Sequence, residues 1–416
     1  MQYRQDGRGG RRISALGLGC MRFPGFAIGR PDLRSAEAII ARAHERGINY
    51  LDTAYLYPGN EACVGAALQR LGLRDAMIVA TKLPHGSCRR PEDLDRILDI
   101  QLRRLRTDRI DCYLIHNICA PAQWKHLQSM GIEAWLARQR SQGRLGAVGF
   151  SYHGSAADFP VLLDAYPWDF CQIQYNYLNE RYQAGTAGLI AAHARGMGVF
   201  VMEPLLGGRL AGKLPDEAKR ILAEAGRDPT RASVRGRGRS RDVKSVSALE
   251  TPAAWALAWV LDHAEVTMAL SGMTSAEQVD ENVDIACRAE PGSMSADELD
   301  VIARVVEVVE RCGRIACTGC AYCMPCPAGI NIPGCFSAYN ASFAHSWFTG
   351  VQQYLIASGG LRRFLSGSAS RCMRCGRCLG RCPQKIAIPD RLHDVARRLT
   401  PWYPGAYRRG VRRSSD

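Results

Sequence analysis

Short apolar segments alternate with longer amphipathic segments along the first 290 residues of the chain. Runs of about four to eight residues rich in Val, Ile and Leu indicate strands, and apolar positions spaced by three or four indicate helices. The predicted strands are residues 13–20, 49–52, 77–81, 110–116, 147–150, 169–172, 198–202 and 268–271. The helical segments include residues 32–46, 91–104, 131–140, 188–195 and 252–263. Eight strands that each precede a helix predict an α/β fold of the (β/α)8 TIM-barrel type.

A doubly wound open sheet is the alternative fold for such an alternating chain. That fold usually places a G-x-G-x-x-G turn after its first strand, where backbone N–H groups meet a dinucleotide phosphate. No such turn follows the strand predicted at residues 13–20. The barrel is therefore preferred, and its catalytic groups are expected at the carboxyl ends of the strands.

A second domain of different composition follows the barrel. Residues 296–311 have helical spacing, and residues 336–356 carry aromatic and apolar side chains at mixed helical spacing. Two cysteine runs also lie here, starting 55 residues apart at Cys317 and Cys372. We therefore expect a barrel at 1–295, a mostly α-helical ferredoxin-like domain at 296–395 and a basic tail at 396–416.

Each cysteine run places four thiols close together and ends in Cys-Pro. The runs read C-T-G-C-A-Y-C-M-P-C-P and C-M-R-C-G-R-C-L-G-R-C-P. Paired runs of this kind are typical of modules with two [4Fe–4S] clusters, in which the fourth cysteine of each run ligates the other cluster. One cluster is predicted on Cys317, Cys320, Cys323 and Cys382. The second cluster is predicted on Cys326, Cys372, Cys375 and Cys378.

Alternatives remain at these runs. The first run ends C-x2-C-P where C-x3-C-P is usual, so Cys312 is a substitute ligand to consider. Zinc sites also use C-x2-C knuckles, but as pairs separated by a dozen or more residues. Disulfides are disfavoured because no segment marks the chain as secreted.

The net charge of +14 is concentrated toward the C-terminus. The residues from 312 onward include 15 Lys and Arg against three Asp. A [4Fe–4S] cluster with four thiolates carries a charge of about −2, so part of this basic excess offsets cluster charge.

The basic insert at residues 227–244 and the basic tail are expected to be solvated segments. Docking to an acidic partner or a membrane surface is the second interpretation of the tail, and no nucleic-acid site is expected.

The polar, Gly- and Arg-rich N-terminus has no apolar stretch of the kind that a signal peptide needs. The sequence also has no apolar run of about 18 residues that would predict a transmembrane segment. A cytoplasmic location is therefore expected, where thiols stay reduced and clusters survive.

Polar residues follow several predicted strands at the end where a barrel carries its chemistry. Asp52, Lys82 and His116 each stand within about a residue of a strand end, and Tyr57 follows Asp52 by five residues. A Tyr hydroxyl donates a proton to a carbonyl oxygen while hydride reaches the carbon. A neighbouring Lys lowers the pKa of such a Tyr, an Asp pairs with the Lys, and a His orients the carbonyl.

Several longer motifs give the sequence a family resemblance. They are L-G-L-G-C-M-R-F-P, N-Y-L-D-T-A-Y-L-Y-P-G-N-E, A-T-K-L, L-I-H-N, V-G-F-S, Q-I-Q-Y-N, M-E-P-L-L-G-G-R-L and S-G-M-T-S-A-E-Q-V-D-E-N. In this order they resemble the aldo-keto reductases, specifically the branch with a C-terminal 4Fe–4S domain. The resemblance implies NAD(P)H-dependent reduction of a carbonyl or related small molecule. It also implies that Tyr57 is the general acid, that Asp52 and Lys82 tune it, and that His116 positions the substrate.

The nucleotide positions match the family pattern less completely. By resemblance, Ser151 and Gln172 hold the nicotinamide carboxamide, although Tyr152 stands where Asn is usual. Met202 or Glu203 replaces the tyrosine on which the ring commonly stacks. The phosphate and adenine positions implied by the resemblance are Ser271, Gly272, Thr274, Ser275, Gln278 and Asn282. The Lys and Arg that many members place against a 2′-phosphate are replaced by Gly272 and Gln278, which leaves NADPH or NADH open, with Arg209 as a compensating cation.

Nicotinamide delivers two electrons as hydride, whereas a [4Fe–4S] cluster moves one electron at a time, and no flavin-binding motif is present to convert between them. The first hypothesis is a carbonyl reductase whose clusters exchange electrons with the substrate or a redox partner protein. The second is a one-electron reductase without nicotinamide, fed through the clusters. The third is a redox-sensing or interaction protein without turnover.

Overall fold

An antiparallel hairpin precedes a closed barrel of eight parallel strands in the computed structural model. The structure describes residues 1–25, 30–212, 214–226, 249–311, 314–315, 317, 323–344, 346–359, 367–382 and 386–400. The described residues within 1–211 and 241–299 form one compact unit, and those within 212–240 and 300–416 form a second. The predicted insert at 227–244 lies outside the described residues, as do Cys312, Cys320 and the tail from residue 401 onward.

The hairpin consists of β1 (Tyr3–Gln5) and β2 (Arg12–Ser14). The barrel strands are β3 (Leu16–Gly19), β4 (Tyr50–Asp52), β5 (Ile78–Leu83), β6 (Ile110–Ile118), β7 (Leu145–Tyr152), β8 (Phe170–Gln174), β9 (Gly198–Met202) and β10 (Met268–Ser271). They pair in chain order, and β10 closes the barrel against β3. The predicted TIM barrel is confirmed, and the open-sheet alternative is wrong.

The first predicted strand, residues 13–20, divides in two. Its beginning belongs to the hairpin as β2, and its end enters the barrel as β3. The Ser14 hydroxyl donates to the Leu16 carbonyl oxygen at 2.7 Å, and the Ala15 N–H donates to the Gln2 carbonyl oxygen at 2.9 Å. The second bond extends the hairpin ladder to Ala15, the residue between the two strands, so one apolar run contributes to both the hairpin and the barrel.

The helices around the barrel follow its strands as the alternation predicts. They are α1 (Leu33–Glu45), α2 (Asn60–Leu71), α3 (Glu92–Leu105), α4 (Pro121–Ser129), α5 (Ile132–Ser141), α6 (Phe159–Leu163), α7 (Gly185–Ala194), α8 (Arg209–Gly212), α10 (Pro252–Leu261) and α11 (Ala276–Arg288), with α9 (Asp216–Gly226) in the second unit. Each helix hides an apolar face, and α1 buries Ala36, Ile39, Ile40 and Ala43.

Large side chains fill the barrel interior. The rings of Phe170 and Phe200 stack with centroids 4.7 Å apart, and Tyr50 meets Phe200 edge-on. Gly17 makes room for this layer, because a Cβ there would lie 2.6 Å from the sulfur of Met268. The interior is therefore a packed core rather than a channel, which leaves the chemistry to the strand ends.

The hairpin lies across the amino ends of several barrel strands. Arg11 donates to the Asp111 carbonyl oxygen at 3.0 Å, at the start of β6. Arg4 donates to the carbonyl oxygens of Leu261 and Val266, just before β10. Gly7 forms an isolated antiparallel bridge with Met197, just before β9. These bonds tie the hairpin to the end of the barrel opposite the carboxyl ends of the strands.

The second unit is mostly helical, as predicted. Its helices include α13 (Ile332–Ala344), α14 (Trp347–Ala357) and α15 (Ile388–Leu399), while α12 (Ala296–Arg311) leads into it. Its apolar core is built from side chains such as Ile330, Phe336, Val351, Tyr354, Leu392 and Val395. Cys317, Cys323, Cys326, Cys372, Cys378 and Cys382 pack against that core. No helix among the described residues is long and apolar enough to cross a membrane.

Candidate active site and cysteine pocket

The four polar residues predicted at the strand ends meet at the carboxyl mouth of the barrel, which we define as the carboxyl ends of β3 to β10. Lys82 Nζ donates to Asp52 Oδ2 at 2.7 Å and to the Thr53 carbonyl oxygen at 2.8 Å. The same ammonium lies 5.3 Å from the ring centroid of Tyr57. The rings of Tyr57 and His116 meet edge-to-face with centroids 6.1 Å apart. The structure thus brings Asp52, Tyr57, Lys82 and His116 into one constellation.

Burial sets the ionisation of this constellation. Burial acts to lower the pKa of Lys82, but the adjacent Asp52 carboxylate outweighs it, and the pKa of Lys82 is raised overall. Burial raises the pKa of Tyr57, and Lys82 acts against this shift. Burial, reinforced by the Lys82 charge, lowers the pKa of His116 well below 6.5. At neutral pH the site therefore holds a charged Lys82, a protonated Tyr57 and a neutral His116.

A buried polar network supports the strand that carries Lys82. Glu61 accepts from Thr81 Oγ1 at 2.6 Å, from Gln101 Nε2 at 3.1 Å and from Arg104 Nη1 at 3.0 Å. Gln101 Nε2 also donates to the Lys82 carbonyl oxygen at 3.0 Å. Because α2 and α3 supply Glu61 and Gln101, these bonds fix β5 to the helices behind it.

Glu61→Ala is expected to lower the free energy of unfolding by about 3 kcal/mol, since it removes the buried carboxylate that accepts from Thr81 and Gln101 and pairs with Arg104. Chemical denaturation monitored by circular dichroism measures the change. Glu37→Ala is the control, because its ion pair with Arg70 lies at the surface and is worth under about 1 kcal/mol. Equal losses for the two variants would contradict a structural role for the Glu61 network.

The two residues assigned to the nicotinamide carboxamide lie deep in the same mouth. Ser151 and Gln172 are 2% and 3% exposed. The Asn117 N–H donates to Ser151 Oγ at 2.7 Å, which leaves the Ser151 hydroxyl hydrogen to donate elsewhere. Gln172 Oε1 is buried without a hydrogen-bond partner. A donor and an unused acceptor at this depth fit the oxygen and nitrogen of a carboxamide.

The residues assigned to the nucleotide phosphate and adenine gather after β10. Ser271 and Gly272 lead to Thr274 and to Ser275, whose hydroxyl caps the N-terminus of α11. Gln278 Oε1 accepts from the Thr274 N–H at 2.8 Å, and Asn282 Nδ2 donates to Ser271 Oγ at 3.0 Å. Gln278 is thus engaged with its own loop, and the first turn of α11 carries the acidic Glu277.

Two histidines at the mouth were not predicted from the sequence. His85 and His153 follow β5 and β7, and both help to lower the pKa of His116 after burial and Lys82. His85 Nε2 lies 3.3 Å from the Asn117 carbonyl oxygen, and His153 Nδ1 lies 3.2 Å from Gln183 Oε1. They lie four and three residues beyond the predicted strand ends at 81 and 150, so the loop residues after each strand are the signal that would reveal them.

A pocket in the second unit joins the two cysteine runs. Cys323 and Cys326 of the first run line it together with Cys372, Cys375 and Cys378 of the second, around a space of about 390 Å³ that includes its open mouth. Burial raises the pKa of Cys378 and of Cys372, and the Cys326 thiol acts in the same direction on both. Cys326 therefore lies beside the three closely spaced thiols of the second run.

This arrangement suits a cubane. Five thiols of the two runs line this one pocket. The four thiolates of a [4Fe–4S] cluster bind four different irons, so they surround a space instead of sharing a point. Of the other predicted set, Cys317, Cys323 and Cys382 lie against the same core and Cys320 is outside the described residues.

Comparisons with known proteins agree with both parts of the chain. Residues 15–303 match the model of the aldo/keto reductase family, and residues 316–387 match a 4Fe-4S dicluster domain. L-glyceraldehyde 3-phosphate reductase of Escherichia coli (strain K12) is 28% identical over 320 residues, covering 68% of this chain and 87% of that protein. The NADH-specific methylglyoxal reductase of the same strain is 28% identical over 303 residues, covering 65% and 89%.

A solved structure shares the barrel. Aldo-keto reductase AKR11C1 from Bacillus halodurans (holo form) superimposes with a TM-score of 0.56 at 27% identity. The match covers 73% of this chain and 96% of that chain.

Proposed function

This chain belongs to the aldo/keto reductase family, and from that premise we propose that it reduces a small carbonyl compound with hydride from NADH or NADPH. The family match confirms the resemblance, and the chain is an oxidoreductase with an iron–sulfur domain. The constellation of Asp52, Tyr57, Lys82 and His116 at the carboxyl mouth carries the proposal. The cytoplasm, where thiols stay reduced, is its proposed location.

A bound nicotinamide would supply hydride to the carbonyl carbon. The Tyr57 hydroxyl gives its proton to the carbonyl oxygen, which completes the alcohol and leaves a tyrosinate. The Lys82 ammonium stabilises that tyrosinate, and Asp52 keeps Lys82 charged. A ring N–H of the neutral His116 donates to the carbonyl oxygen and orients it. Solvent then returns a proton to Tyr57.

The reduction rate is expected to be constant from about pH 6 to pH 9, because neither His116 nor Tyr57 titrates in that range. The rate falls only when alkali ionises Tyr57. Lys82→Met removes the charge that lowers the pKa of Tyr57, so it should move the remaining alkaline limb to higher pH. A pH profile of kcat tests this, and a step near pH 6.5 that disappears in His116→Gln would contradict it.

The nicotinamide part of the proposal is tested by titrating anaerobically purified, cluster-loaded protein with NADH and NADPH separately while tryptophan fluorescence is followed. Micromolar binding of either is expected. Methylglyoxal and glyceraldehyde 3-phosphate, which appear in the names of two relatives, are suitable first carbonyl probes. Absence of binding by both nucleotides would overturn hydride transfer.

We further propose two [4Fe–4S] clusters in a domain spanning residues 296–395. The pocket that joins Cys326 to Cys372, Cys375 and Cys378 supports one ligand set, and Cys323 of the other set also lines it. Cys317, Cys320, Cys323 and Cys382 form the second set. Since hydride moves two electrons and a cluster moves one, the clusters exchange electrons with a redox partner protein rather than directly with nicotinamide.

A second candidate function is one-electron reduction at the mouth without nicotinamide. The observation that favours it is Glu203, whose carboxylate adds to the pKa rise of Tyr57. Either Glu203 or its neighbour Met202 stands where family members place a stacking tyrosine. In this case reduced clusters would be obligatory for turnover. Full activity of cluster-free protein with NADH or NADPH would exclude it.

A further inference from the structure

The cysteine pocket of the second unit is open to solvent. Its lining includes five residues that are themselves exposed, namely Pro325, Pro327, Met373, Cys375 and Arg377. Cys375 is one of the four thiols proposed to hold the second cluster. A cluster on that thiol has an edge near the surface, where an electron can pass between the cluster and another protein.

Two large apolar side chains stand in solvent beside this pocket. Met373 is 64% exposed and Leu379 is 46% exposed. The Leu379 N–H donates to the carbonyl oxygen of the pocket-lining Gly376 at 3.0 Å, and a Cβ on Gly376 would lie 3.9 Å from Leu379 Cδ1. Leu379 is therefore held against the rim of the pocket. Single exposed apolar residues are common on proteins, but a group of them at the opening of a site indicates contact with a partner.

Arginines surround these apolar side chains. Residues 371–382 include four arginines and no acidic residue, and all four arginine side chains are exposed. Arg374 pairs with Asp390 of α15. Within the part of the chain that the structure describes, Arg377 and Arg381 form no hydrogen bond or ion pair. A cluster with four thiolates offsets about two of the positive charges, and the exposed remainder attracts an acidic surface.

We propose that residues 373–381, which we call the docking face, bind an acidic one-electron carrier protein, an inference that rests on the proposed clusters. An apolar centre inside a cationic rim complements a carrier whose redox group lies among acidic side chains. Brief complexes of redox proteins need only a small interface, so a face of this size suffices. A lipid surface would match the arginines but would neither supply nor accept an electron.

One electron crosses the docking face in each encounter. The reduced carrier loses that electron, and the cluster gains it and passes from the [4Fe–4S]2+ to the [4Fe–4S]+ state. No bond forms or breaks in this step. Because opposite charges steer the encounter, its rate should fall as salt is added.

The test uses anaerobically purified, cluster-loaded protein and a plant-type [2Fe–2S] ferredoxin as the acidic probe. Calorimetric titration measures the Kd of the complex, and stopped-flow absorbance of the clusters measures the rate of electron transfer from reduced ferredoxin. Arg377→Glu and Arg381→Glu are each expected to raise the Kd and to slow the transfer by about tenfold at low salt. Met373→Ser combined with Leu379→Ser keeps the charge and should also weaken the complex by about tenfold.

Arg397→Glu is the matched control, because it makes the same change in net charge within the same unit. This exposed arginine lies in the last turn of α15, about two turns beyond the pocket-lining Pro389. Its Kd for ferredoxin should stay within about twofold of the native value. Iron content, reduction by dithionite and thermal melting are measured for every variant, which separates lost docking from a lost cluster or a lost fold.

The outcomes distinguish the docking face from the clusters themselves. Native protein with intact clusters that does not bind the ferredoxin, or equal affinities in native protein and both docking-face arginine variants, overturns the docking face alone. An equal loss in Arg397→Glu overturns it as well, since the attraction would then be general. Native protein that assembles no clusters overturns the proposed clusters together with the inference.

Two other occupants of the docking face have their own signatures. Binding to vesicles of phosphatidylserine and phosphatidylcholine that Arg377→Glu abolishes, while ferredoxin binding is unaffected, would replace the carrier with a membrane surface. Self-association in sedimentation experiments that Met373→Ser abolishes, without effect on ferredoxin, would replace it with a second copy of the chain. Either result overturns the carrier.

Discussion

Tyr57→Phe is expected to lower kcat for carbonyl reduction by about 10²- to 10⁴-fold while nucleotide binding is retained. The variant keeps the ring beside Lys82 and His116 but removes the proton that the carbonyl oxygen must receive. Since Tyr57 lies at the mouth and its ring remains, the barrel should fold as before. Steady-state kinetics with NADH or NADPH, together with a binding titration, measures the two quantities separately.

Tyr55→Phe is the matched control for this change. Tyr55 lies two residues away, and its ring packs under the Arg104 guanidinium, 4.6 Å from the centroid. Loss of its hydroxyl should leave kcat within about twofold, because its ring contact persists. If Tyr57→Phe turns over as fast as Tyr55→Phe, another group supplies the proton and the proposed role of Tyr57 is wrong.

Cys326→Ala is expected to remove the same cluster as Cys378→Ala, although the two cysteines belong to different runs. The pocket that holds both thiols is the reason. Iron content should fall from about eight to about four atoms per chain in either variant, and acid-labile sulfide should fall in parallel. The double variant should lose no more than either single one, because both thiolates are predicted to serve the same cluster.

Cys335→Ala provides the control for thiol loss in the same unit. Cys335 is fully buried in the apolar core, and burial raises the pKa of its thiol well above the usual range. Its replacement should leave the iron content unchanged. Additive iron losses in the double variant of Cys326 and Cys378 would show that each thiol serves a different cluster and would contradict the predicted crossing of ligands.

Buried parallel strands were the part of the fold that the sequence predicted best. β9 and β10 have the predicted limits because each is a short apolar run bounded by polar or turn residues. The hairpin was not predicted. Its first strand, Tyr-Arg-Gln, is polar, and Arg4 holds it through carbonyl oxygens more than 250 residues away in the chain. Such contacts leave no local pattern in the sequence.

The site was predictable where residues stand at or near the carboxyl ends of strands. Asp52, Lys82 and His116 come to one mouth because the carboxyl ends of parallel barrel strands must meet, while their roles stay a prediction. His85 and His153 were not predicted, because they stand in loops beyond the strands and only the fold brings those loops to the mouth. The proximity of Cys326 to Cys378 was predicted, because the fourth cysteine of one such run usually ligates the cluster held by the other run.

The hairpin across the amino ends of the strands has a kinetic consequence. Because the hairpin lies across the amino end of the barrel and the interior is packed, the nucleotide and the carbonyl compound both bind at the carboxyl mouth in the proposed reaction. Ser151 and Gln172 lie almost fully buried, whereas Tyr57 and His116 are partly exposed at the same mouth. A nucleotide bound to the buried Ser151 and Gln172 is covered once the carbonyl compound reaches the more exposed Tyr57 and His116. Nucleotide should therefore arrive first and depart last, and the alcohol product should inhibit noncompetitively against the nucleotide.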